Sequence, residues 1–222
     1  MTTTVQIKPL VARSLRSAPI VGVVRTPSTE EAARQARLFA AAGIELVEIT
    51  FSVPGAPGLV RELLAERGPE GPPWIGMGTV TTAARAREAV AAGAELIVTP
   101  NVSAEVAQEA RRSDLFLILG ALTATEVVNA HELGADLVKV YPLPPVGGPT
   151  YLSTLRQPLG DIPMLAAGGF GVEEIPAYAA AGAIAFGIGG PLLGSDDDET
   201  RSRIARGLQL ARDLVNRGRK EE

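Results

Sequence analysis

Lys139 lies in the stretch GADLVKVYP, residues 134–142, where Leu137, Val138, Val140 and Tyr141 read as a buried strand. An ammonium group is rarely left in an apolar interior, because desolvating it is costly unless it is paired or gives up its proton. The only other lysines are Lys8 and Lys220, near the two ends, and the remaining positive charge is arginine. A lysine at 139 therefore asks for a chemical reason. A desolvated lysine that has lost its proton attacks carbonyls, and a carboxylate beside it can relay the protons of imine formation and hydrolysis. Glu48 is a carboxylate at an equivalent place in the chain.

The equivalence comes from an internal echo. AAGIELVEIT, AAGAELIVTP, ELGADLVKVY and AAGAIAFGIG each follow an alanine-rich helical pattern, turn at a glycine (Gly43, Gly93, Gly134, Gly182) and enter a short apolar run. Glycine is the expected residue just past a helix, where a positive φ is needed. Between these segments lie PIVGVVR (19–25), WIGMG (74–78), LFLILG (115–120) and PMLAAGG (163–169), which makes eight candidate strands. Helical patterns separate them, among others at 29–42, 82–92, 104–112, 124–133 and 172–181. Apolar strands alternating with helices imply a parallel sheet covered by helices, and eight such units fit a closed (β/α)8 TIM barrel. The expected architecture is one α/β barrel domain over 1–222, with a short helix at 10–17 before strand one and a last helix at about 197–217.

Five residues after each turn glycine come Glu48, Val98, Lys139 and Gly187, on strands two, four, six and eight. Interior layers of such a barrel draw on alternate strands, so these four are expected to share one inward layer near the C-terminal strand ends, where active sites of this fold lie. Gly187 is expected to leave a gap beside the amine and the carboxylate. A purely structural ion pair is the competing reading, although buried pairs are seldom net stabilising.

Composition excludes several classes. There is no cysteine, so disulfides and thiolate metal sites are ruled out, and one histidine, His131, cannot build an imidazole-rich metal site. A formal charge of −4 with interspersed signs is no nucleic-acid footprint. No apolar run reaches the roughly 20 residues that cross a bilayer, and the N-terminal segment has no signal-peptide core. The expectation is a soluble, cytoplasmic protein that binds neither nucleic acid nor membrane. A chain of this length buries roughly 70% of its extended surface, enough for a sizeable core.

With Lys139 and Glu48 placed, the chain resembles the 2-keto-3-deoxy-6-phosphogluconate (KDPG) and 4-hydroxy-2-oxoglutarate aldolases from about residue 19 to 193. The segments that carry the likeness, in order, are VEITFSVPGA, GMGTV, LIVTPN, VKVYP and AAGGF. The resemblance implies a homotrimeric class I lyase of Entner–Doudoroff-type carbohydrate metabolism. It would cleave a 2-keto-3-deoxy-6-phospho sugar acid reversibly to pyruvate and glyceraldehyde 3-phosphate, with no metal or other cofactor. By the same resemblance Lys139 matches the imine lysine, Glu48 the acid/base residue, Thr79 a threonine near the substrate carboxylate and Pro100 a proline at the pyruvate end. Arg25 matches a basic position near the substrate. Read without the resemblance, Thr79 is a strand-end or helix-cap residue, Pro100 a turn residue and Arg25 a solvated charge.

Glycine pairs in AAGGF and GIGGP end strands seven and eight, the usual phosphate position in barrels. Gly168, Gly169, Gly189 and Gly190 are the expected backbone donors there. Two departures from the family pattern stand out: Ser52 replaces an arginine found in many members, and Pro191 replaces a serine after the strand-eight glycines. Pyruvate-end chemistry is therefore better marked than the identity of the aldehyde end. The same chemistry on the galactonate-derived phosphate or on 4-hydroxy-2-oxoglutarate stays open. Outside this class stand a phosphate-binding barrel isomerase or epimerase, with Glu48 as a simple base, and a non-catalytic metabolite-binding barrel.

Overall fold

The computed structural model describes residues 7–69 and 71–218. Eight parallel strands run β1 (Ile20–Val24), β2 (Leu46–Thr50), β3 (Trp74–Gly78), β4 (Leu96–Val98), β5 (Phe116–Ala121), β6 (Leu137–Val140), β7 (Met164–Ala167) and β8 (Ala185–Ile188). They follow one another in sequence order, and β8 pairs with β1 to close the barrel. Helices α1 (Ile7–Ser17), α2 (Thr29–Ala41), α3 (Ala56–Arg67), α4 (Ala83–Ala91), α5 (Ala104–Arg112), α6 (Ala124–Glu132), α7 (Gly148–Arg156), α8 (Ile175–Ala180) and α9 (Asp197–Gly218) surround it. The expected (β/α)8 class is the observed one. No helix among the described residues is long and apolar enough to cross a membrane.

Local chemistry explains the repeat. Ser28, Thr82, Ser103 and Thr123 cap α2, α4, α5 and α6, each hydroxyl accepting from the backbone N–H three residues on. Gly43, Gly93, Gly134 and Gly182 leave α2, α4, α6 and α8 with φ of 97°, 83°, 83° and 96°, a region L side chains avoid. The acidic residue two places after the turn glycine is also used in three echo segments. Glu95 accepts from the Ile75 amide (2.9 Å) and Asp136 from the Leu117 amide (2.8 Å), fastening each even strand to the preceding one. Glu45 takes the Ser17 hydroxyl (3.2 Å).

Some elements differ from expectation. Helices α3 and α7 do not show in the alanine pattern, because both start at left-handed glycines, Gly55 and Gly147, with prolines in the first turn and no side-chain cap. The helix expected at 172–181 splits into a 3-10 turn at Val172–Glu174 and the short α8, where Pro176 withholds an N–H. Tyr141 lies beyond the end of β6 and is 40% exposed, so it is not the buried strand residue the pattern suggested.

The core has two parts. One fills the space between strands and helices, with Phe39, Ile49, Ile97, Leu119, Val138 and Phe186. The other fills the barrel lumen, where Leu46, Trp74, Leu96, Phe116 and Leu137 continue into Val11 and Leu15 of α1. Helix α1 thus stops the N-terminal end, held by the Trp74 indole N–H to the Ser14 hydroxyl (2.9 Å) and by Lys8 to Asp136 (3.0 Å). The lumen is apolar at that end, and its inward polar side chains, Glu48 and Lys139, come one pleat repeat higher.

Candidate active site

On β2 the inward residues are Leu46 and then Glu48; on β6 they are Leu137 and then Lys139, because strand side chains alternate. These two positions meet: Lys139 Nζ stands 3.9 Å from Glu48 Oε1, with the side chains 11% and 2% exposed. That distance is attractive but too long for a hydrogen bond. Glu48 Oε1 is buried without a hydrogen-bond partner. Leaving such an acceptor unmet costs about 1–3 kcal/mol, more for a charged group. A pair kept only for stability would close the gap; this one leaves a carboxylate oxygen available to another donor. Lys139 Nζ also lies 5.4 Å from the centre of the Tyr141 ring, over its face.

The neighbours of the pair are shaped by glycine. A Cβ at Gly78 would stand 2.6 Å from Glu48 Oε1, so only glycine leaves the carboxylate where it is. Gly120 is level with Lys139 on the adjoining strand, and a Cβ there would stand 2.3 Å from the Pro100 carbonyl carbon. Pro100 therefore packs against the strand beside the lysine. Thr99 holds that turn, accepting from the Gly120 amide (2.9 Å) and donating to the Asn101 carbonyl. The gap expected at Gly187 is not there: Leu165 and Ala167 of β7 would lie 3.1 and 3.3 Å from a Cβ. Side chains from the adjoining strand take up the room that a missing Cβ leaves.

Thr79 directly follows Gly78 and has φ 59°, a conformation that costs a β-branched residue about 1–3 kcal/mol. It does not cap a helix, since Thr82 performs that role for α4. Arg25, beyond the end of β1, reaches it and donates from Nη2 to Thr79 Oγ1 (3.2 Å). Ser52 lies at the rim of β2. Thr50 Oγ1 donates to the Val24 carbonyl (3.0 Å), so the 2.8 Å contact between the two hydroxyls uses the Ser52 proton.

The four turn glycines differ in their reasons. Gly168, at φ 138°, lets β7 pass the Pro142–Pro144 turn, where a Cβ would stand 2.7 Å from Pro144 Cδ. Gly189 packs on the Val23 carbonyl, 2.7 Å from a Cβ position. Gly169 has a positive φ of 92° and open space at its Cβ position, and Gly190 has open space there too. Gly190 begins only a three-residue 3-10 turn, which offers an anion less than a full helix start does. Phe170 stacks on Tyr178 with ring centres 4.1 Å apart beneath these turns; burial, then Glu174, push the Tyr178 phenol up.

The structure thus brings Lys139, Glu48 and Pro100 to one end of the lumen, with Thr79 and Arg25 beside β3. It places Ser52 on the β2 rim and the four glycines around the ends of β7 and β8. Sequence reasoning passed over Gly78, Tyr141 and Arg85. WIGMG does carry a signal for Gly78, since two glycines at a spacing of two strip one strand face of side chains. Arg85 carries none, because an arginine early in a helix looks like a solvated charge.

Comparison with known proteins points the same way. The sequence profile of the KDPG and KHG aldolases matches residues 11–206, beyond both ends of the segments quoted above. The 2-dehydro-3-deoxy-6-phosphogalactonate aldolase of Escherichia coli K12 is 29% identical over 200 residues, 89% of this chain and 96% of that protein. The 2-dehydro-3-deoxy-phosphogluconate aldolase of Treponema pallidum is 29% identical over 167 residues, 75% of this chain and 78% of that protein. A solved native KDPGal structure superposes with a TM-score of 0.78 at 28% identity, covering 89% of this chain and 96% of that one.

Proposed function

This chain belongs to the KDPG and KHG aldolase family, and from that premise we propose that Lys139 and Glu48 carry out Schiff-base cleavage of a 2-keto-3-deoxy-6-phospho sugar acid. The observation that supports this most is the loose buried pair, with its 3.9 Å gap and a carboxylate oxygen that no donor satisfies. Lys139 Nζ attacks the C2 ketone, the carbinolamine loses water, and the protonated imine becomes the electron sink. Glu48, through a water, takes the C4 hydroxyl proton. The C3–C4 bond breaks, its electrons flow to the imine nitrogen, and glyceraldehyde 3-phosphate leaves. The enamine of pyruvate is protonated at C3, and the imine is hydrolysed to free Lys139. Pro100 packs the pyruvate end, Arg25 and Thr79 face anionic substrate, and the turns at Gly168, Gly169, Gly189 and Gly190 hold the phosphate. Ser52 contributes a rim hydroxyl rather than a charge.

Borohydride reduction with each candidate keto acid, followed by peptide mass spectrometry, tests the nucleophile and ranks the substrates. A stable adduct on Lys139 is expected. An active preparation without one rejects the imine mechanism and favours the isomerase or epimerase reading. Comparative turnover of the gluconate- and galactonate-derived phosphates and 4-hydroxy-2-oxoglutarate ranks the aldehyde end. The first two differ in configuration at C4, the atom Glu48 serves. Gly78→Ala forces the Glu48 carboxylate to move, and a misplacement on the order of 1 Å costs about 10²-fold in rate. Turnover should fall by that factor while circular dichroism stays unchanged; full turnover would mean the position of Glu48 is unimportant.

A cytoplasmic homotrimer, each subunit one barrel domain, completes the proposal, on the strength of the family likeness. Light scattering on the purified chain reads the assembly directly.

A further inference from the structure

We propose that Arg85 is a substrate-binding residue which, with Arg25 and Thr79, forms the subsite for the carboxylate of the keto acid; this rests on the aldol reading above. Arg85 sits in the first turn of α4, donates from Nη1 to the Thr79 carbonyl (3.3 Å) and to Thr81 Oγ1 (3.0 Å), and stacks 5.2 Å from the centre of the Phe51 ring. Arg25 approaches the same threonine from its hydroxyl side. Two guanidinium groups thus converge on one residue held at a strained φ of 59°.

Neither guanidinium is neutralised within the protein. Arg34, Arg37, Arg67, Arg87, Arg112, Arg203 and Arg206 each have a carboxylate within 4.0 Å, whereas among the described residues Arg25 and Arg85, like several surface arginines, have none. Arg85 spends only Nη1 on internal acceptors there, which leaves Nε and Nη2 for an outside anion. Ser52, next to the stacked Phe51, brings a hydroxyl and no charge to this rim. Arg85 reaches the same rim from α4 and supplies a guanidinium there.

Position selects which anion. The substrate carboxylate is bonded to C2, the atom Lys139 holds, so its partner must lie next to the Lys139–Glu48 pair. Contacts run unbroken from Lys139 to Glu48, from Glu48 to Gly78, and through the next residue, Thr79, to Arg85. The glycine turns of β7 and β8 lie across β1 and β2 from β3 in the closed barrel and suit the distal phosphate.

Arg85→Ala and Arg85→Lys separate this from a structural role when two ketones are compared. Pyruvate carries the carboxylate; acetone keeps the ketone without it. Methyl-proton exchange with deuterium oxide, followed by NMR, reads imine and enamine formation for both. Arg85→Ala should raise KM for pyruvate by about tenfold, what one charge-assisted hydrogen bond supplies, with little change in kcat. Arg85→Lys should restore part of it, and acetone exchange should be unaltered. Unchanged pyruvate kinetics, or equal losses with both ketones, overturn the proposal. Wild-type protein that exchanges neither ketone sinks the aldol reading instead. Pyruvate binding by calorimetry then decides the subsite alone: weaker binding to Arg85→Ala upholds it, and equal binding rejects it.

Discussion

Lys139→Ala is expected to lose both turnover and the borohydride-dependent mass gain with pyruvate. An alanine leaves no amine inside the lumen to form the imine, and the only other lysine among the described residues, Lys8, pairs with Asp136 at the opposite end of the barrel. No rescue by a neighbour is therefore expected. The variant also isolates Glu48, a carboxylate whose side chain is 2% exposed, and removing one partner of a buried pair costs about 3–5 kcal/mol. Its Tm should drop alongside its activity. Lys139→Met keeps the volume and separates the two effects, since a folded methionine variant that is also inactive attributes the loss to the missing nitrogen. Retained turnover in either variant would end the Schiff-base reading.

Glu48→Gln should lower kcat by about 10²–10⁴-fold, the usual worth of a positioned acid/base. Glutamine preserves the shape against Gly78 while removing proton-transfer capacity. The informative contrast is between steps: the pyruvate adduct on Lys139 should still be trapped, whereas C3–C4 cleavage slows. Wild-type turnover in Glu48→Gln would rule out the carboxylate as the relay. The double variant Glu48→Gln with Lys139→Met removes both buried charges. Replacing a buried pair by groups of similar volume is often neutral or stabilising by about 1–4 kcal/mol, and this pair is too far apart to hydrogen-bond. Denaturant unfolding should therefore find the double variant at least as stable as the parent and inactive. A marked loss of stability would identify the pair as structural.

Much of the site's address was legible because one device repeats. Gly43 and Gly134 end helices α2 and α6 with nearly the same geometry, so Glu48 and Lys139, each five residues on, arrive at the same height and face of even strands. Periodicity also predicted that Val98 and Gly187 share that layer, but not how the layer packs. Whether Gly187 leaves a gap depends on Leu165 and Ala167, which belong to the adjoining strand. Tyr141 misleads for a related reason: an aromatic residue after a β-branched run looks buried, yet Pro142 follows it and the strand has already ended.

The order of residues by itself determined the eightfold alternation, the turns where a positive φ is required, and the placing of one amine and one carboxylate on inward strand faces. These follow from chain-local rules, the period of a strand and the conformational freedom of glycine, and such rules operate within a few residues. Tertiary structure alone decided the 3.9 Å separation of Lys139 and Glu48, the space Gly78 leaves for the carboxylate, and the meeting of Arg25 and Arg85 at Thr79. Each of these joins different strands or a strand and a helix, and closure of the barrel brings such distant segments to contact distance.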